Sequence, residues 1–207
     1  MSGADFRDVV WPVLRLMWGG EVRSVELGED ELHGDLDRLA GIDWYHYHAR
    51  GVGHVRGIAS RVEWKYKPDR YGNLDPSKWA HWKAPPNNFT VRTRTAGGSR
   101  NTEYARMILS LSESGIYPSV MLHAYLEAPG GPLLALGVTG VKDLAEHMVA
   151  EEEAGRPWFE RVNGEDGALF TCVYWRKYHC WRYGKDAFAR DGDSEDQHEH
   201  DEPDTLW

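Results

Sequence analysis

The chain is poor in cysteine and in long apolar segments. Its 207 residues include two cysteines, too few for a disulfide framework, and the reducing cytoplasm is therefore the expected compartment. No uninterrupted apolar run approaches the roughly 20 residues that cross a bilayer, so we expect no membrane partner. The N-terminal sequence MSGADFRDVVW has no basic region followed by an apolar one and does not predict a signal peptide.

Lysine and arginine are missing from the C-terminal end. Residues 191–207 carry eight acidic side chains and no lysine or arginine, while the whole chain has a formal net charge of −9. Residues 1–190 are therefore nearly neutral, and the acidic total does not exclude a nucleic-acid partner. The sequence predicts a single α/β domain at 1–188 with a flap or loop insertion at 66–88, and an acidic, disordered tail at 189–207.

The spacing of apolar residues predicts an α+β fold of mixed α/β type, with helices flanking a central mixed sheet. In the first helix, this spacing predicts one buried face made of Val9, Val13, Leu16 and Met17. Two long strands, 42–50 and 54–66, should be antiparallel neighbours. The further predicted elements are strands at 21–27 and 89–95, a helix at 102–114 with Asn101 or Thr102 as its N-cap, two strands joined by the turn APGG, a helix at 141–155 and a strand at 168–175.

Charged side chains on the two long strands suggest a chemical site. Asp43 lies near the start of the first strand, while Glu63 and Lys65 share one face of the second. If the strands are adjacent, the two carboxylates can meet, and their oxygens suit Mg²⁺ or Mn²⁺. A lysine beside the metal can orient a water and neutralise developing negative charge. Asp43 and Glu63 are thus candidate metal ligands, and with Lys65 they are candidate catalytic residues for phosphodiester hydrolysis.

The same residues also allow a simpler interpretation. A half-exposed strand with a solvated polar face would have the same alternation in RVEWKY, residues 61–66. Gly57 and Ala59 lie on the face of Glu63, where small side chains leave room for a ligand or allow tight packing. The sequence leaves both interpretations open.

The motif resembles the PD-(D/E)xK nuclease superfamily, which includes restriction endonucleases, Holliday-junction resolvases and RecB-type exonucleases. Asp43 is followed after nineteen residues by EWK, residues 63–65, and the resemblance covers about residues 5–127. It implies a core of helix, three strands, helix and strand, with Asp43 beginning the second strand and Glu63 and Lys65 on the third. A further acid in the first helix or strand is implied, and Asp8 and Glu26 are equal candidates for it.

This chain departs from the superfamily pattern at two points. The residue before the aspartate is isoleucine rather than proline, and the strand FTVRTRT follows the EWK strand before the next helix. The fold implied by the resemblance is therefore a restriction-endonuclease-like core with an extra strand and a flap.

Basic and aromatic residues near the motif are candidate nucleic-acid contacts. Arginine binds phosphate through two parallel hydrogen bonds, and aromatic rings stack on unpaired bases. Alternatively, the arginines form salt bridges with neighbouring acids such as Glu103, and the aromatic rings fix a surface loop onto the core. The candidates are Arg61, Lys67, Trp79, Trp82, Arg92, Arg94 and Arg100.

Histidines and cysteines offer a less favoured alternative, a zinc site. Neither group of them has a spacing that fixes a complete ligand set. The residues concerned are His46, His48 and His54 in one group and Cys172, His179 and Cys180 in the other.

These observations leave three functions open. The leading one is a metal-dependent nuclease that hydrolyses DNA, of a kind that phages or mobile elements encode. The second is a protein that binds single-stranded or branched DNA without catalysis. The third is an adaptor that binds a partner protein through residues 191–207, whose ending DEPDTLW resembles the acidic tail tips of single-strand-binding proteins but is also typical of a solubilising tail. A homodimer is left open.

Overall fold

The computed structural model describes residues 3–25, 41–47, 55–66, 68, 72–74, 86–95, 97, 102–112, 117–156, 159–162 and 167–183. Most of the expected flap at 66–88 and all of the acidic tail at 189–207 lie outside these residues. Among the described residues, no helix is both long enough and apolar enough to cross a membrane.

Helices and strands alternate irregularly along the described residues. The first helix, α1, consists of an α-helical turn at Gly3–Asp5, a π-helical segment at Phe6–Val10 and an α-helical segment at Trp11–Trp18. The other elements are β1 (Glu21–Ser24), β2 (Trp44–Tyr47), β3 (Arg56–Trp64), β4 (Asn88–Arg94), α2 (Glu103–Ser112), β5 (Val120–Leu126), β6 (Leu133–Gly140), α3 (Val141–Glu153), β7 (Phe159–Val162), β8 (Leu169–Tyr174) and α4 (Trp175–Tyr183).

The strands of the described part of the chain form two sheets. The larger sheet has the order β1-β2-β3-β5-β6, and the smaller one has the order β4-β8-β7. In the larger sheet β3 and β5 are parallel, whereas the other neighbouring pairs are antiparallel. The fold is therefore α+β with a mixed sheet, as predicted, and the predicted antiparallel pairing of β2 with β3 is confirmed. The extra strand, β4, pairs with β8 and not with the larger sheet.

Helix α1 covers one face of the larger sheet. Its residues Phe6, Val10 and Leu14 pack in one buried cluster with apolar side chains of β2, β3 and β5. Asp5 fixes the start of the helix, because its buried carboxylate accepts hydrogen bonds from Trp64 Nε1 (3.0 Å) and from the backbone N–H of Gly130 (2.7 Å). The apolar face of β3 predicted from RVEWKY is thus part of the core.

The predicted buried face of α1 is wrong. Val13, Leu16 and Met17 are 39%, 89% and 65% exposed, while Leu14 is fully buried. Phe6, Val10 and Leu14, each four residues from the next, form the buried face instead. The helix also contains a π-helical segment, in which the N–H of Trp11 bonds to Phe6 O, five residues back. This winding places more residues in each turn and rotates everything after Val10 relative to a continuous α-helix. Pro12 lies in the first turn of the following α-helical segment, where its missing N–H costs little.

The other face of the larger sheet packs against α2, α3 and the smaller sheet. Met107 of α2 and Leu144 of α3 lie in one buried cluster with Met121 of β5 and Phe89 of β4. Helix α2 begins after Thr102, whose Oγ1 accepts a hydrogen bond from the N–H of Ala105 (3.1 Å). The prediction that Asn101 or Thr102 caps this helix is therefore confirmed for Thr102.

Two elements were not predicted from the sequence, β7 and α4. Helix α4 has aromatic residues on several faces, so its apolar spacing indicates no single buried side. Tertiary contacts instead determine which side of α4 faces the core. Tyr178 is buried in hydrogen-bond contact with Thr139 Oγ1 (2.6 Å), and Trp175 occupies the space that a side chain at Gly137 would need.

Candidate functional site

Asp43 lies immediately before β2, where this strand passes β3. Its carboxylate Oδ2 accepts hydrogen bonds from the backbone N–H (2.5 Å) and the hydroxyl (3.0 Å) of Ser60. The Ser60 hydroxyl oxygen in turn accepts a hydrogen bond from Trp44 Nε1 (3.2 Å). Because the indole can only donate, the serine hydroxyl hydrogen is left for Asp43. The aspartate carboxylate is therefore held against β3.

The pairing of β2 with β3 determines which residue faces Asp43. Trp44 pairs with Ile58, and continuing this antiparallel register by one residue places Asp43 opposite Ala59. Glu63 lies four residues farther along β3, a distance of about 13 Å along a strand, and it pairs with Tyr125 of β5. The register does not place Asp43 opposite Glu63.

Lys65 lies just beyond the end of β3. Its backbone N–H bonds to Leu126 O (2.9 Å), and its Nζ lies 5.1 Å from the centre of the Tyr66 ring. Neither Glu63 nor Lys65 lines the cavity beside Asp43 that is described next.

A cavity of about 280 Å³ opens beside Asp43, between the larger sheet and helices α2 and α3. Among the described residues, its charged lining consists of Asp43, Arg61, Glu103 and Arg106. Two carboxylates and two guanidinium groups thus lie in one cavity, although they come from the residue before β2, from β3 and from α2. Ala59 also lines this cavity, consistent with room for a ligand, whereas a side chain on Gly57 would come within 3.0 Å of Ile42. Gly57 is accordingly explained by tight packing.

Arg61 and Glu103 form an ion pair inside this cavity. Arg61 Nη2 lies 2.8 Å from Glu103 Oε1, and its Nη1 donates to Thr90 Oγ1 (2.7 Å) and to Thr90 O (3.2 Å). Glu103 Oε2 accepts a hydrogen bond from the N–H of Arg92 (2.8 Å). The salt bridge that the sequence offered as an alternative for Arg61 is therefore present. It joins β3 to α2 and β4, and it fixes the orientation of both charged groups.

The other basic candidates are more dispersed. The guanidinium of Arg92 lies 5.1 Å from the centre of the Phe170 ring, and Arg94 is exposed beyond a shift in the pairing of β4 with β8. Neither lines the cavity. The candidates Lys67, Trp79, Trp82 and Arg100 lie outside the described residues.

The acid implied in the first helix or strand remains a prediction. Asp8 is exposed and pairs with Arg7 (2.7 Å), and α1 covers the face of the sheet opposite the cavity. Glu26, the other candidate, lies outside the described residues. The buried acid of α1 is Asp5, whose hydrogen bonds are with Trp64 and Gly130.

His123 of β5 also lines the cavity and is 3% exposed. Its Nδ1 accepts a hydrogen bond from the N–H of Thr90 (3.1 Å), so the neutral ring carries its proton on Nε2. Burial lowers the pKa of His123 well below its usual value, and the charge of Arg61 lowers this pKa further. The ring is therefore a neutral hydrogen-bond donor near pH 7.

The residues of the zinc alternative are placed apart from the cavity or outside the described part of the chain. His46 is buried between Trp11 and Trp18, and its Nε2 lies 3.0 Å from Gly19 O. His48 and His54 are not among the described residues. Cys172 is buried, His179 and Cys180 are half-buried, and in the described ranges no three His, Cys, Asp or Glu residues are grouped to hold a metal ion.

Comparisons of the chain with protein-family models, with curated proteins and with solved structures find no match. Function is therefore inferred from the site itself. The sequence indicated Glu103 only as a salt-bridge partner and Arg106 only as one of the basic residues of the next helix, and it did not indicate His123 as a site residue. The one available signal was the position of Glu103 directly after the N-cap of a helix that follows the motif strands.

The low pKa of two buried histidines predicts a loss of stability in acid. Burial also lowers the pKa of His147, an effect that Arg156 and Lys177 strengthen and Glu151 opposes. Below about pH 6.5 the unfolded chain binds protons that the folded chain does not, so the free energy of unfolding should fall as pH decreases, by up to about 1.4 kcal/mol per pH unit for each histidine.

Urea unfolding between about pH 7 and about pH 5 measures this slope, and acidic residues contribute to it as well. His123→Gln isolates one histidine, because glutamine can accept the Thr90 bond but does not titrate. We expect a shallower slope for this variant. An unchanged slope would contradict the assignment of a neutral, buried His123.

Proposed function

We propose that the protein is a metal-dependent nuclease that hydrolyses DNA phosphodiester bonds, with Asp43 and Glu103 as its carboxylates. The observation that carries this proposal is the cavity in which these two acids meet Arg61 and Arg106. The acids are the group types that the sequence assigned to a metal, and the arginines are the group types that bind phosphate. The proposed site differs from the one chosen by sequence spacing in two groups. Glu103 replaces Glu63 as the second carboxylate, and the two arginines replace Lys65 as the positively charged side chains.

The order of elements supports the same proposal. The nuclease resemblance implies helix, three strands, helix and strand, and the chain has α1, β1 to β3, α2 and β5 in that order. Strand β4 is added between β3 and α2 and belongs to the other sheet. Asp43 directly precedes the second strand of this series, the position that the resemblance gives to its first acid.

The residues present fit a divalent cation with hard oxygen ligands. Mg²⁺ sites in phosphate chemistry commonly use one or two carboxylates and complete the shell with water and phosphate oxygens. Bound here, Mg²⁺ or Mn²⁺ would supply an activated water and a positive charge beside the phosphate. The hydrogen bonds from Ser60 to Asp43 and from Arg92 to Glu103 fix both carboxylates before any ligand binds.

The two arginines would bind and neutralise the phosphate. Arg61 is held by Thr90 and Glu103, so its guanidinium does not have to be ordered when substrate binds. Arg106 lies over Gly41, with Nη2 3.1 Å from the position that a side-chain carbon there would take. In this arrangement negative charge that develops on the phosphate meets fixed positive charge.

Asp43→Asn tests this function directly. Asparagine has the same shape and can still accept a hydrogen bond from Ser60, but it has no charge for a cation. We expect cleavage of single-stranded, duplex or branched DNA with Mg²⁺ or Mn²⁺ to fall at least about 100-fold, equivalent to about 2.7 kcal/mol. A chain that cleaves none of these substrates, or a folded variant as active as the parent, would contradict the proposal.

A second candidate is a DNA-binding protein without catalysis. Both carboxylates are already engaged by protein donors, as expected if the Arg61–Glu103 ion pair only joins β3 to α2. Such a protein would bind DNA with an affinity that falls steeply as salt rises, because phosphate contacts release counterions. Salt-dependent binding with no cleavage under any metal condition would favour this candidate, and salt-independent affinity would count against it.

The adaptor function and the homodimer remain separate proposals. A partner that binds residues 191–207 should be lost when the chain is truncated after residue 190, while the free energy of unfolding stays unchanged. If the truncated chain retained that partner, the tail would not be the binding segment. Sedimentation analysis of the full chain would test for the dimer.

A further inference from the structure

The cavity beside Asp43 has an apolar wall as well as a charged one. The charged wall comes from β2, β3 and the start of α2. The apolar wall comes from the chain before β5, from β5 itself, from α2 and from the start of α3. A metal ion and a phosphate would need only the charged wall. The apolar wall therefore indicates a ligand that has both an anionic group and an apolar surface, and its residues are Met107, Tyr117, Pro118, Met121 and Val141.

His123 adds a fixed polar contact to this cavity. It is almost completely buried, and Thr90 holds its Nδ1, so Nε2–H is the donor that remains. A donor fixed in this way suits a carbonyl oxygen or ring nitrogen at the edge of a base, or a sugar oxygen. A side chain that served only to fill the apolar core would not require this hydrogen-bond donor in a cavity that also contains two arginines.

The size of the cavity limits what can enter. About 280 Å³ lies just below the roughly 300–1,000 Å³ of sites that enclose a whole small molecule. One nucleotide is a ligand of this class, whereas a stacked and paired duplex is not. A base enters such a cavity only after it has left its stack, as in single strands, frayed ends or flipped positions.

We propose that the cavity accepts one unpaired nucleotide, with its base against Tyr117 and Met121 and its phosphate at Arg61 and Arg106. The proposal rests on the proposed function for its phosphate site, and it extends that function by naming the substrate class. The preferred DNA has unpaired nucleotides. Tyr117 supplies an aromatic face for the base, and this kind of contact tolerates any base.

Calorimetric titration with a deoxynucleoside 5′-monophosphate tests the proposal in the presence of a chelator. Inorganic phosphate and the deoxynucleoside are the matched partial ligands. We expect the nucleotide to bind at least about tenfold more tightly than either, because it contacts both walls. Tyr117→Ala should weaken nucleotide binding about tenfold and leave phosphate binding unchanged, whereas Arg106→Gln should weaken both.

Two control variants show whether a loss of nucleotide binding results from misfolding. Tyr117→Leu keeps apolar bulk without the ring and should lose the stacking contact while remaining folded. Leu109→Ala changes an exposed residue of α2 outside the cavity and should bind nucleotide like the parent. Equal affinities for nucleotide and phosphate, or no effect of either Tyr117 variant, would overturn the inference.

The nucleotide-binding test and the DNA-cleavage test can fail independently of each other. Asp43-dependent cleavage by a chain that binds no mononucleotide would overturn this inference and leave the nuclease proposal in place. Nucleotide binding that Tyr117→Ala weakens, in a chain that cleaves no DNA, would support this inference and contradict the nuclease proposal. A chain that cleaves duplex and single-stranded DNA at equal rates would count against the preference for unpaired nucleotides.

Discussion

Glu103→Gln is expected to lower metal-dependent DNA cleavage at least about 100-fold, about 2.7 kcal/mol of transition-state stabilisation, whereas Glu63→Gln should stay close to the parent. Glu103 lines the cavity with Asp43, and Glu63 does not. Both substitutions remove one charge and keep the side-chain length, so the pair differs in position and not in chemistry. Single-turnover cleavage with saturating Mg²⁺ or Mn²⁺ measures the difference.

The free energy of unfolding of Glu103→Gln has to be measured as well. Glu103 also forms the ion pair with Arg61 (2.8 Å) and accepts the hydrogen bond from the Arg92 N–H. Glutamine can accept one of these bonds but not balance the arginine charge, so some loss of stability is expected. The assay therefore runs well below the unfolding midpoint of the variant. Loss of cleavage in Glu63→Gln and Lys65→Met, with Glu103→Gln active, would favour the site that the sequence spacing predicted.

Leu14→Ala is expected to lower the free energy of unfolding by about 2–5 kcal/mol, the range for buried leucines that leave a cavity. Leu14 is fully buried between α1 and the sheet, while Leu16, two residues away in the same helix, is 89% exposed. Leu16→Ala should change the free energy by less than about 0.5 kcal/mol. Urea titrations of the two variants give both values.

The contrast between the two leucines tests the phase of α1. A continuous α-helix with the predicted apolar face would bury Leu16 and expose Leu14, which reverses the expected result. Alanine favours the helix slightly at both positions, so helix propensity cannot produce the difference. Equal losses for both variants would contradict the buried position of Leu14 and the exposed position of Leu16.

Most elements of the fold could be predicted from the sequence, because they depend on residues that are close together along the chain. Alternating side chains identified β2 and β3 and their antiparallel pairing, because strand periodicity requires only neighbouring residues. The hydroxyl of Thr102 identified the start of α2, because a cap acts within one turn. The hairpin of β5 and β6 was likewise predicted from the turn between two apolar runs.

The limits of sequence reasoning appear where contacts depend on register and winding. The EWK spacing suggested that Glu63 is the partner of Asp43, but the pairing of Trp44 with Ile58 puts Ala59 opposite the aspartate. A shift of four residues leaves the alternation of β3 unchanged and still moves a carboxylate by about 13 Å. Spacing along the chain therefore could not locate the site.

By itself, the sequence determined the α+β class and the central mixed sheet, and it proposed Asp43 and Arg61 as site residues. Tertiary structure alone decided which charged side chains share a cavity, and it added Glu103 and Arg106. Glu103 reaches Arg61 across 42 positions of the chain, because α2 packs on the face of the larger sheet from which Arg61 extends. Side-chain alternation is a local property of a strand, but strand register and helix placement depend on the packing of distant segments, and these decide the site.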